Sequence, residues 1–335
     1  MKRAAILCPG RGSYTERTLG SIPAGHDWLR RADVLRKERG LIPLAKLDGA
    51  RRFDPSVHLA PTNASALIWL VTMIDAAEAA REDRIVCVAG NSMGWYTALA
   101  VAGALDFEGG FRLVQEMAIL QEEQQKEEAG GQVIYPLVDE TWRRDPRLVN
   151  AVESAIAGSG GTALLSIRLG GFAVLAGTEP GIEHLLRALP RTKLGANPYP
   201  FRLMRHGPYH TPWLASVASQ ARDRLANLEF RAPKVTLVDG RGVRCTPWST
   251  DPAELAAYTF GAQVVETFDF TASVRVALRE QAPERLVCPG PGNTLGGVCG
   301  QILVEEGWRG IRSREDFDRV QQGADPVLVS MRRPS

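Results

Sequence analysis

Short unbroken apolar runs alternate along the chain with longer stretches whose apolar positions recur at helical spacing. Residues 4–8, AAILC, end at Pro9-Gly10 and read as a strand buried on both faces, as in a parallel sheet. Residues 26–55 are polar and rich in arginine, the pattern of helical surface. Residues 62–81 carry apolar side chains almost all round, which predicts a buried helix with Thr62 or Asn63 as its cap. A strand over 84–89 and a helix over 95–104 follow, then a helix over 108–129 that stops at Gly130-Gly131.

The pattern then changes. Strands are predicted over 132–138, 163–169, 172–176 and 199–204, with helices up to about Ala157 and over 179–189. Strand–helix–strand–strand–helix–strand is the ferredoxin-like order. It predicts a small subdomain over 131–204 inserted into a larger α/β domain made of 1–130 and 205–325. The larger part resumes with a helix near 212–227 and strands over 235–238 and 285–288, and residues 326–335 are expected to form a tail.

Composition adds limits rather than a function. With 44% hydrophobic and 23% charged residues and a net charge of +2, nothing marks a nucleic-acid or membrane binder. The five cysteines (Cys8, Cys87, Cys245, Cys288 and Cys299) lack metal-ligand spacing, and four of them lie in or beside apolar runs, as buried thiols do. The apolar run near Met1 is too short for a signal peptide, and no segment approaches a membrane span of about 20 residues, so a cytoplasmic protein is expected. Gly10 and Gly12 begin a dinucleotide fingerprint, but Thr15 stands where its third glycine belongs.

The candidate chemistry sits in Gly90-Asn91-Ser92-Met93-Gly94, between a predicted strand and a predicted helix. Gly-x-Ser-x-Gly in that context is the nucleophile elbow of an α/β-hydrolase-like domain. The turn is too tight for side chains at the glycine positions, and the helix start directs backbone N–H groups at the serine. A serine nucleophile needs a base. His26, His58 and His184 lie among polar or charged neighbours and read as surface residues. His206 and His210, in RHGPYHTPW where the chain leaves the small subdomain, both remain candidates.

The chain resembles the malonyl-CoA:acyl-carrier-protein transacylase family, the acyltransferases of fatty-acid and polyketide synthesis. Pro9-Gly10-Arg11-Gly12-Ser13 is similar to its PGQGS loop, and Gly90 to Leu99 to its GHSxGEYxAL elbow. Gly103-Ala104-Leu105 is similar to AGAL, and Gly207-Pro208-Tyr209-His210-Thr211-Pro212 to GAFHSP. Gln263 stands at a family glutamine shortly before a PVRW-like segment, and Gly290-Pro291-Gly292 with Leu295 and Gly297 matches GPGxxLxG.

The resemblance implies ping-pong acyl transfer. Ser92 would attack an acyl thioester with His210 as base, and a pantetheine thiol would collect the acyl group. It also implies that the Gln263 backbone carbonyl steadies His210 and that the backbone N–H groups of Met93 and Arg11 form the oxyanion hole. Acyl-CoA and an acyl-carrier protein are the expected partners of a monomer. Coenzyme A or phosphopantetheine enters as thioester substrate, with no cofactor bound permanently and no metal.

Departures from the family surround the serine. Met117 replaces the arginine that pairs with the malonyl carboxylate, and a thioether offers that carboxylate no donor. Asn91, Trp95 and Arg11 replace the family's histidine, glutamate and glutamine, and with Tyr209 they are candidate pocket residues. A neutral, non-malonyl acyl group is therefore expected. Alternatives are malonyl transfer with Arg11 as the anchor, an editing thioesterase using the same dyad, and a non-catalytic carrier-protein-binding module. Lys193, Arg202 and Arg205 are candidates for contacting an acidic carrier protein or the phosphates of coenzyme A.

Overall fold

Burial on both faces explains the unbroken apolar strands. In the computed structural model, which describes residues 1–127 and 129–331, β1 (Arg3–Cys8) is sealed from Ala4 to Cys8 and pairs in parallel with β2 (Arg84–Gly90). The middle of the chain supplies β3 (Gly130–Pro136), β4 (Ala163–Leu169), β5 (Phe172–Thr178), β6 (Thr192–Leu194), β7 (Asn197–Tyr199) and β8 (Phe201–Arg202). The last third adds β9 (Thr236–Val238), β10 (Arg244–Cys245), β11 (Phe268–Asp269), β12 (Arg285–Cys288) and β13 (Leu328–Ser330).

These strands make a six-stranded sheet of order β10-β9-β2-β1-β12-β13, parallel except at the β10 edge. A second sheet has the order β11-β4-β5-β3-β8, and β6 with β7 forms a separate hairpin. Without β11, the second sheet has the ferredoxin-like arrangement of antiparallel neighbours, with the Pro146–Ala157 and Glu179–Ala188 helices on one face. Val133, Tyr135, Leu175, Ile182 and Leu185 form the core on that face. β11 adds to the sheet from the later part of the chain, parallel to β4, and so ties the two parts together.

Three expectations change. The tail does not begin at 326: Leu328–Ser330 pairs in parallel with β12, and Leu328 is buried. So short an apolar run is recruited by its neighbour and cannot be told from a loop by pattern alone. The long buried helix spans Pro61–Glu82 and starts one residue earlier than predicted, with Ala60 at the cap and no side-chain bond there. Pro61 at its first position supplies a preset φ and lacks the N–H that a cap would serve. Thr62 instead bonds Glu122, and Asn63 accepts from the buried Arg36. Finally, His58 is buried rather than superficial, with Nε2 3.0 Å from the Leu47 carbonyl.

Candidate active site

Steric exclusion shapes the turn after β2. A Cβ on Gly90 would lie 2.1 Å from the Gly94 carbonyl oxygen, and one on Gly94 would lie 2.3 Å from that of Cys8. Both are far inside contact distance, so the turn closes only with glycine at these two places. Between them Ser92 adopts φ 55°, a left-handed conformation that costs an L-residue roughly 1–2 kcal/mol. The Asn91 N–H bonds the Cys8 carbonyl at 3.0 Å and ties the turn to β1. The Gly94–Val101 helix begins directly behind the serine.

His210 reaches this turn from 118 residues away, with Ser92 Oγ 2.7 Å from its Nε2. On the other side of the ring, Nδ1 lies 2.8 Å from the Gln263 backbone carbonyl. A carbonyl can only accept, so Nδ1 carries the proton and Nε2 is left to accept from the Ser92 hydroxyl. Burial lowers the His210 pKa to about 4, opposed by the Gln263 carbonyl, which favours the charged ring. The imidazole is therefore a neutral base at ordinary pH. The Gln263 side chain also serves the turn: its Nε2 donates to the Ser92 carbonyl at 3.3 Å, and its Oε1 accepts from Tyr96 at 2.7 Å. His206, the other candidate, bonds Gln132 Oε1 through Nδ1 at 2.8 Å.

Two cavities meet at the serine. One holds about 20 Å³ and is lined by Ser92, Met93, His210 and Gln263 together with Arg11, Tyr96, Gln121 and Val264. That is space for about one water molecule. The other holds about 320 Å³ between the two sheets and is lined by Ser92, Asn91, Arg11 and Tyr209 and by a broad apolar wall. Arg11 lies between them and is engaged. Its guanidinium donates to the Tyr209 hydroxyl and, at 2.6 Å, to the Arg205 carbonyl.

Not every candidate from the sequence arrives here. Met117 is buried in the core and lines neither cavity. Trp95 is fully buried against Tyr258, with its indole N–H 3.0 Å from Thr259 Oγ1, because the helix turns it away from the serine. Trp95 therefore lines neither cavity, contrary to its expected place in the pocket. Arg202 and Arg205 line an open mouth of about 460 Å³ that borders the larger cavity at Leu203 and His206, and Arg202 is paired with Glu179 at 2.5 Å. Lys193 sits apart on the β6–β7 hairpin and lines none of these three cavities.

Four residues at the small cavity were not expected from the sequence: Tyr96, Gln121, Leu214 and Val264. Tyr96 follows Trp95 in the elbow block, and Gln121 lies one helical turn beyond Met117 on the same face, so helical spacing was the available signal for Gln121.

No family model matches the chain. It is 24% identical over 308 residues to the malonyl CoA-acyl carrier protein transacylase of Salmonella typhimurium, covering 90% of this chain and 94% of that protein. Its fold matches the acyl-carrier-protein S-malonyltransferase of Burkholderia pseudomallei with TM-score 0.74 and 22% identity, over 100% of this chain and 97% of the other. It also matches a malonyl-transacylase solved in complex with its type II polyketide-synthase acyl-carrier protein, with TM-score 0.72, 19% identity and coverage of 90% and 93%.

Proposed function

We propose that this chain, a member of the malonyl-CoA:acyl-carrier-protein transacylase family, moves a neutral acyl group from a pantetheine thioester to an acyl-carrier protein through an ester on Ser92. The observation that carries the reading is the relay from Ser92 Oγ through His210 to the Gln263 carbonyl, at 2.7 and 2.8 Å.

The chemistry follows from that geometry. Ser92 Oγ attacks the thioester carbonyl as its proton passes to His210 Nε2, and the Gln263 carbonyl stabilises the resulting imidazolium. The Met93 and Arg11 backbone N–H groups, beside Ser92 at the small cavity, receive the developing oxyanion. Collapse breaks the C–S bond, and the thiolate takes the proton back from His210. An incoming pantetheine thiol then gives its proton to Nε2, attacks the ester and leaves as the new thioester, restoring the Ser92 hydroxyl. A carbonyl suffices as the third member, because its task is to orient the ring and balance a transient charge.

The neutral cargo rests on the charges around the serine. Arg11 brings a guanidinium to both cavities, and it is held by Tyr209 and by a backbone carbonyl. A malonyl carboxylate carried to the apolar wall of the larger cavity would be desolvated away from that guanidinium, which costs several kcal/mol. Carrier protein would approach over the mouth lined by Arg202 and Arg205, where Phe201 and Met204 are exposed.

The test is a chase. Protein acylated on Ser92 is isolated and divided between buffer and buffer with holo-acyl-carrier protein. Transfer predicts at least tenfold faster loss of the ester with carrier protein, and acyl-carrier protein as the product. Equal rates with free acid as product would identify a hydrolase.

A further inference from the structure

We propose that the acyl group is an apolar chain of about six to ten carbons, seated in the 320 Å³ cavity between the two sheets. The proposal rests on the acyltransferase reading above and names its substrate class.

Ser92 opens on both cavities, and the smaller has room for little beyond a water. Anything longer than two or three carbons must lie in the larger one. Its wall is the face of the second sheet that the two small-subdomain helices leave uncovered. Ile134 and Ile167 flank Val174 across the strands, Leu169 pairs with Phe172, and Leu295 and Val298 face them from the larger part.

An irregularity in β4 makes this wall apolar. The pairing register shifts between Leu165 and Ile167, the signature of a β-bulge at Ser166. Leu165 packs toward the helices, whereas Ser166 donates to the Tyr209 carbonyl and its neighbour Ile167 lines the cavity. After the bulge the alternation resumes, with Leu169 at the cavity and Arg168 exposed beside Asp269. A regular strand would instead turn Arg168 to that face, and a guanidinium would stand in the wall.

Polar groups collect toward the mouth. Gln132 and His206 bond each other there, and the mouth is bordered by Gln125, Arg202 and Arg205. A pantetheine arm carries amides that an apolar wall leaves unpaired, so the arm belongs at the mouth and the hydrocarbon at the far wall.

The experiment offers acyl-CoA donors from acetyl to dodecanoyl and reads the rate of Ser92 ester formation by intact-protein mass spectrometry. The expected rate rises by up to about fourfold per methylene, equivalent to about 0.8 kcal/mol, peaks between about six and ten carbons, then falls. Two variants fill the far wall, away from the mouth: Val174→Trp, and Ile134→Trp at a half-buried position, where the fold tolerates bulk more readily. In a variant that keeps the wild-type unfolding temperature, octanoyl loading should fall at least tenfold while acetyl loading stays within twofold. If both variants misfold, the wild-type chain-length profile decides. Acetyl or propionyl loading as fast as octanoyl, or an equal loss for all donors in a folded variant, would overturn the proposal while leaving the acyltransferase reading intact. Loading of Ser92 by no donor of any length would reject that reading, and this proposal with it.

Discussion

Ser92→Ala is expected to abolish the acyl-enzyme and to lower acyl transfer by a factor on the order of 10³ or more. The hydroxyl lost is the group that lies 2.7 Å from His210 Nε2 and would form the ester. The fold should survive. The left-handed φ of 55° is as accessible to alanine as to serine, and the small cavity admits one water to take the place of the hydroxyl. Intact mass after incubation with donor, beside the thermal unfolding temperature, separates lost chemistry from lost structure. A variant that still gains an acyl mass at the wild-type rate would move the nucleophile elsewhere.

His210→Gln is expected to slow acylation by about 10²–10⁴-fold, the range for loss of a general base. The wild-type pH profile carries the sharper signature. Because burial holds the His210 pKa at about 4, the base is already neutral at pH 5, and acylation should fall only as pH drops through about 4. An ordinary exposed histidine would instead titrate near 6.5. The sign for stability follows from the same shift. Between about 4 and 6.5 the unfolded chain holds the proton and the folded chain does not, so this contribution is whole above 6.5 and declines toward 4. Urea midpoints at pH 7 and pH 4.5 should differ less in His210→Gln than in wild type. An acylation profile with its midpoint near 6.5 would contradict the buried, neutral base.

The elbow was legible because the clash that shapes it leaves a fixed mark. Gly90 and Gly94 must lack Cβ atoms, and that need shows in any single sequence. The two-part α/β organisation was legible for a similar reason, since strand and helix periods differ. Which histidine meets the serine was not legible from the residues. His206 and His210 share one loop, and only the path of the chain across 118 residues selects the ring that faces Ser92. Met117 shows the other limit. A sequence can reveal that a cation is missing, but whether its replacement borders a pocket depends on packing, and here the methionine is sealed in the core. The apolar cavity was hidden for a third reason. Strand alternation predicts which residues share a face, and the bulge at Ser166 reverses that assignment for Ile167 and Leu169. β13 was missed because a three-residue edge strand carries almost no periodic signal and is defined by its partner, β12.

A competition between donors tests the central claim most directly. The protein is mixed briefly with equimolar malonyl-CoA, hexanoyl-CoA and octanoyl-CoA, and the peptide containing Ser92 is then analysed by mass spectrometry. The predicted result is hexanoyl or octanoyl ester on Ser92 in at least tenfold excess over malonyl ester. Malonyl ester predominating on Ser92, or acyl groups confined to other residues, would contradict the account.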